Sequence, residues 1–490
     1  MYRIKYKMLA MGLALLMCAS VLTAAFLPEG GKAGGNMSAG TNDGGFSITE
    51  DDSLALADTS SAFDQSLTDI APEVSGKQWL IVSLEGESLA DRRGNKDLSE
   101  FAESSRGKSI ERSLQNEQAD FLDNLRGAGI PYELKYSYTM LTNAVAIRTD
   151  VKYAEKIATM KGVSSVNISE YYYAPQDEEV SNNANVWGTG IYKVDEEVAN
   201  EYSKGMVAAV LDTGIDSSHE VFQVEPEEPS LSKEMVAERV FNGVNSGVQG
   251  LDPDVTADDV YYNSKIPFAY DYADKDTDVY PSYSAHGTHV AGIIAGSPVD
   301  NIVDQDGKPI LDQNNEQMDF RGVAPQAQLV ICKVFTDNAD STSLGGAEEM
   351  DILAALEDCV KLKVDVINMS LGSSAGFSTG DNEHMQEVYD SIRAAGISLV
   401  VAASNDYSAH YGGTYGTNRA EYPDSATVGS PSTYPGSLSV ASINGQQSKY
   451  IKVTVGGEDK YLYFTEASDA SGEEKDFVAE MKEKNPGLVN

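Results

Sequence analysis

Four short runs, residues 207–211, 329–334, 364–369 and 397–402, are largely apolar, interrupted only by Lys333, Asp365, Asn368 and Ser398. A strand exposed on one side alternates apolar with polar residues, so a run with apolar residues at successive positions belongs to a strand covered on both faces. Amphipathic stretches at 346–361 and 383–395 lie between these runs and supply helical crossovers, with glycine frequent at the run ends. The pattern predicts an α/β fold, a doubly wound parallel sheet over residues 177–443. An acidic, proline-containing stretch at 223–265 interrupts it and reads as a surface insertion.

The chain on either side is built differently. Arg3, Lys5 and Lys7 precede an uncharged run at 8–27 that closes with Thr23-Ala24-Ala25, the anatomy of an export signal over 1–27. The run is also long enough for an uncleaved anchor. Residues 28–76 are rich in Gly, Ser, Thr, Asp and Asn and read as a flexible linker. From 77 to 173 the periodicities give a strand at 79–84, a helix at 110–125, strands at 132–138 and 144–149, a helix at 151–160 and a strand at 163–168. That βαββαβ order is the ferredoxin-like α+β alternation. After residue 443, Tyr450 to Val455, Gly456-Gly457 and Tyr461 to Phe464 predict a hairpin, the start of a β-rich domain over 444–490.

Charge excludes more than it identifies. With 36 basic against 76 acidic side chains the net charge is −40, which repels phosphate backbones and anionic headgroups, so neither nucleic acid nor lipid is an expected partner. Of the three cysteines Cys18 sits in the leader, leaving Cys332 and Cys359 as buried thiols or one bridge.

In an open parallel sheet, reactive groups collect where strands end. Asp212 follows the run at 207–211 in Asp212-Thr213-Gly214. His286 opens an apolar helix, His286-Gly287-Thr288-His289-Val290-Ala291-Gly292, and Asn405 closes Val400-Val401-Ala402-Ala403-Ser404-Asn405. Taken singly, each has an ordinary reading: an Asp can cap a helix, and an Asn can make a turn. The two histidines stand three apart, whereas the helical zinc motif needs four with a Glu between, so no metal site is expected from them.

Together, and in this order, these motifs resemble the subtilisin-like serine peptidases, the subtilases. The resemblance covers residues 185–443 and includes Arg321-Gly322-Val323-Ala324-Pro325 and Val366-Ile367-Asn368-Met369-Ser370-Leu371-Gly372. It implies Asp212 and His286 as catalytic residues, Asn405 as an oxyanion donor, and Ser370, Leu371 and Gly372 as substrate-binding backbone. His289 and His219 are expected to serve structure. The βαββαβ unit, with Thr142-Asn143-Ala144-Val145-Ala146, resembles the family's propeptide, an intramolecular inhibitor. The insertion, the phrase at 265–272 and the terminal β segment resemble lactocepin-type cell-envelope proteinases, in which a protease-associated domain precedes the serine. Protein or peptide substrates and secretion, with wall association open, follow from the same likeness.

Two departures stand out. The family has Gly before its oxyanion Asn, and here Ser404 occupies that place. The Gly-Thr-Ser-Met-Ala string of the nucleophile is absent, and neither Gly429-Ser430-Pro431 nor Gly296-Ser297-Pro298 matches it. The expectation is therefore an endopeptidase precursor whose serine lies beyond residue 490, the fragment itself being inactive. The alternative is a non-catalytic product that binds peptides or peptidases. No cofactor is required by the chemistry. Calcium is common in the family, but Asp304-Gln305-Asp306-Gly307 and the acidic residues at 271–278 lack a full ligand pattern.

Overall fold

Alternate side chains of the central strands belong to two separate cores, and this division organises the fold. In a computed structural model, Ala209, Leu211, Val330, Cys332, Phe268 and Tyr270 join one buried cluster, while Val210, Leu329, Ile331 and Ala269 join another. Since side chains of a strand point alternately to opposite faces, both faces of the sheet are covered. The strands are β6 (Val207–Asp212), β7 (Phe268–Asp271), β8 (Gln328–Lys333), β10 (Val366–Met369), β11 (Ser398–Ala402) and β12 (Leu438–Val440). They form one sheet in the order β12-β11-β10-β6-β8-β7, and every adjacent pair is parallel. The short edge strands β7 and β12 were not foreseen from the sequence.

The structure describes residues 76–172, 196–241, 255–282, 284–303, 307–311, 317–337, 346–373, 382–404 and 428–441, with the backbone of Lys449–Val455 and Glu458–Phe464. The expected signal, nearly all of the linker and Asn405 lie outside these residues. Trp79–Arg148 and Ile157–Asn490 cluster as one compact unit, Met1–Gln78 and Thr149–Lys156 as another. In the latter, the Asp150 carboxylate accepts a hydrogen bond from the Lys152 N–H and caps the turn Val151–Tyr153.

Ahead of the parallel sheet stand β1 (Lys77–Leu84), α1 (Ser105–Gly127), β2 (Glu133–Tyr138), β3 (Ala144–Asp150), α2 (Ala154–Ala158), β4 (Val163–Ile168) and the two-residue β5 (Tyr171–Tyr172). Two further short helices, Leu89–Arg92 and Leu98–Glu103, precede α1. The first four strands make a sheet in the order β2-β3-β1-β4, with β1–β4 and β2–β3 antiparallel. Helix α1 forms because Leu114, Gln118, Phe121, Leu122 and Leu125 recur on one face, all buried, and Ser104 caps its first turn through the Gly107 N–H.

Helix α3 (Glu196–Ser203) leads into β6, and the crossover helices are α4 (His286–Ala295), α5 (Glu349–Leu362) and α6 (Glu383–Ala394). In α6 the buried Met385, Val388, Tyr389 and Ile392 keep helical spacing, and the Asn382 side chain caps it. Helix α5 begins later than the sequence pattern predicts. Ala347–Glu348 is instead strand β9, antiparallel to β5, and that pairing takes the backbone out of the helix. Strands β13 (Lys449–Val455) and β14 (Glu458–Phe464) form the expected hairpin, with Val455 opposite Glu458. Cys332 and Cys359 are buried free thiols with their sulfurs 3.8 Å apart. Among the described residues no helix is long and apolar enough to cross a membrane.

Candidate active site

Asp212 is the last residue of β6, and its side chain is buried there. Its main-chain carbonyl accepts from the N–H of Val334, just past the neighbouring strand β8, and its Oδ1 accepts from the Thr213 N–H at 2.7 Å. The same Oδ1 lies 2.7 Å from His286 Nδ1 across 74 positions of sequence. His286 is the first residue of α4 and keeps 16% of its side chain exposed, whereas Asp212 keeps 1%. A buried carboxylate thus meets a partly exposed imidazole, an arrangement that orients the ring.

Close approach of α4 to the turn after β6 makes this contact. A Cβ on Gly287 would run into the Gly214 carbonyl, and Gly214 itself has φ +110. Thr213 completes the clamp: its Oγ1 accepts from the Gly287 N–H at 2.9 Å and donates to the Ser284 carbonyl at 2.8 Å. Thr288 Oγ1 accepts from the Asp216 N–H at 2.8 Å.

A family model described as the subtilase family matches residues 203–475. The chain belongs to the subtilase family. The PIII-type proteinase of Lactococcus lactis subsp. cremoris (strain SK11) is 30% identical to this subtilase over 313 residues, which make up 62% of this chain and 14% of that protein. The C5a peptidase of Streptococcus pyogenes serotype M3 is 28% identical over 261 residues, 52% of this chain and 19% of that one. The chain thus spans under a fifth of these curated relatives. Among solved structures, fervidolysin from Fervidobacterium pennivorans, a keratinolytic enzyme related to subtilisin, gives a TM-score of 0.40 at 16% identity, covering 81% of this chain and 46% of that chain. The lactococcal relative is in line with the narrower likeness to lactocepin-type proteinases.

In this subtilase Ser370, Leu371 and Gly372 follow β10, whose register sets Met369 beside Leu211, so they leave the sheet on the same rim as Asp212. Leu371 is buried, Ser370 Oγ accepts from Asn368 Nδ2 at 3.1 Å, and a Cβ on Gly372 would crowd the Ser430 carbonyl. Asn405 lies outside the described residues, but Ser404 before it has φ 122, a conformation natural to glycine. His219 caps the turn Glu220–Phe222 through Nδ1, and His289 is exposed one turn into α4.

A second strand pairing was missed from the sequence. Tyr171 and Tyr172 pair antiparallel with Glu348 and Ala347, and the Tyr171 ring lies against Gly346, where a Cβ would strike it. Gly345-Gly346 just before a helix was the available signal.

The acidic residues at 271–278 do not fit a calcium site. Asp271 is buried against Lys333, Asp274 accepts from Thr336 Oγ1 and the Asp337 N–H, and Asp276 accepts from the Asp278 N–H. Protein donors already serve these carboxylates, and the Lys333 ammonium supplies the cation. Among the described residues no group of three or more His, Cys, Asp or Glu side chains could hold a metal ion.

Proposed function

We propose that the chain is the front part of a secreted serine endopeptidase precursor that hydrolyses peptide bonds in proteins. The observation that carries this reading is the 2.7 Å contact of His286 with Asp212 on the strand-end rim of the parallel sheet, in a subtilase chain. His286 accepts the hydroxyl proton of a serine carried outside these 490 residues as that oxygen attacks the peptide carbonyl. It then returns the proton to the departing amine. Asp212 holds the ring and stabilises its cation. Asn405 donates to the oxyanion, and no step requires a cofactor.

Substrate backbone is held by strand addition, with Ser370, Leu371 and Gly372 on one side and β9 on the other. Residues 77–173 act as the inhibitory propeptide. Support comes from β5, which pairs with β9 as an extended peptide would. The export signal at 1–27 and the proteinase relatives favour an extracellular site of action, with wall attachment as one form of it.

A fluorophosphonate probe tests the reading. The longer protein should be labelled at one serine and cleave casein, and His286→Ala should abolish both, while the 490-residue chain stays unlabelled. Stoichiometric labelling and casein cleavage by the 490-residue chain would overturn the assignment of the serine. A longer protein that never reacts would favour a non-catalytic binder.

A further inference from the structure

Helix α5 carries Glu349, Asp351, Glu357 and Asp358, a polar set that would face water on an ordinary crossover helix, yet all four are buried. Three of them, with Glu348 just ahead, are engaged by residues that precede the peptidase domain. Glu357 Oε1 accepts from the Met140 and Leu141 N–H groups, each at 2.8 Å, and Oε2 from Thr139 at 3.4 Å. Asp351 pairs with Lys135 at 2.5 Å. Glu349 accepts from the Glu170 N–H at 3.0 Å and Glu348 from Ser169 Oγ at 2.8 Å. Tyr138 and Ser99 donate to the Met350 and Val360 carbonyls.

We propose that this face of α5 is a proton-dependent latch, which holds the propeptide in acid and releases it as the pH rises, an inference that rests on reading residues 77–173 as a propeptide. Four carboxyl groups lose water when the two surfaces meet, and few cations come with them. The charged and titratable groups around them are Lys135, Tyr136 and Tyr138 of β2, Arg148 of β3, Glu111 of α1, Glu170 before β5, Tyr172 of β5, Lys275 and Tyr272 after β7, Tyr389 of α6, and Asp358 and Lys361 of α5 itself. Burial pushes Asp351 up to about 6, Glu348 and Glu357 to about 7, and Glu349 to about 8.

Separated, these groups meet water and return toward the ordinary carboxylate range near pH 4. The joined state therefore binds more protons. Its stability is fully present below the ordinary carboxylate range and is lost as pH rises through about 6 to about 8. His384 of α6 also faces the propeptide side, its Nδ1 3.5 Å from Ser83 Oγ of β1.

The test uses the full chain with a specific protease site placed within 173–195, cut in solution, and the dissociation constant of the two pieces read by sedimentation. Raising the pH from about 5.5 to about 8.5 should weaken association at least about tenfold, one pKa unit of linkage. Glu357→Gln and Asp351→Asn, singly and together, should shrink that ratio, each checked for folding by circular dichroism. Equal affinity at both values, or tighter association at the higher one, would overturn the latch. So would a pH effect of undiminished size in the double variant, or one that disappears in His384→Gln. Because association is measured rather than cleavage, the latch can hold where the peptidase reading fails, and the reverse.

Discussion

His286 Nδ1 stands 2.7 Å from Asp212 Oδ1, and the carboxylate is held there by a buried strand end while the ring keeps a path to solvent. Strand β6 presents the acid and helix α4 the imidazole. Their meeting depends on the small residues between the two elements.

The first expectation follows from that pair. In the longer protein Asp212→Asn should lower kcat by about 10⁴-fold, the scale set by subtilisin itself, while leaving the fold intact. The measurement is kcat/KM on a peptide substrate beside a thermal melt. A loss below tenfold would remove Asp212 from the mechanism.

Gly287→Ala should act on the same contact through geometry. The added methyl meets the Gly214 carbonyl, so α4 must shift or the turn after β6 must open. Overpacking of this kind costs about 1–3 kcal/mol. Urea unfolding of the 490-residue chain would record it, and the ring resonances of His286 should move. An unchanged midpoint and spectrum would show that the clamp yields freely.

Ser404 holds φ 122 without being glycine. Strained backbone of this kind costs about 1–3 kcal/mol, of which glycine's extra unfolded-state freedom takes back up to about 1 kcal/mol. Ser404→Gly should therefore stabilise the chain by about 1 kcal/mol in urea. If it destabilises instead, the Ser404 side chain contributes more than its backbone costs.

Lys333 is buried between Asp271 and Asp337, and its register partner on β6 is Asp212. Burial opposes its charge, and the two aspartates more than offset this, raising its pKa. Lys333→Met leaves Asp271 buried without its cation and should cost about 3–5 kcal/mol. The double variant Lys333→Met with Asp271→Leu should recover much of that. Equal losses in the single and double variants would show that packing of the lysine stem, not charge, is what matters.

The sequence by itself determined the four inner strands, because a run apolar on both faces can only be buried on both faces. It also determined α1 and α6, whose apolar positions recur at helical spacing, and it singled out Asp212 and His286 as residues flanking strand ends. All of these are local signals, written within a few residues. The edge strands β7 and β12 are too short to carry such a signal. Only the tertiary structure brought β5 onto β9, set α4 against the turn after β6, and buried Glu349, Asp351 and Glu357 on a face that reads as solvated. Each of these depends on a partner far away in sequence. A carboxylate looks the same in the chain whether water or a distant N–H group will meet it, so its burial is decided by folding alone.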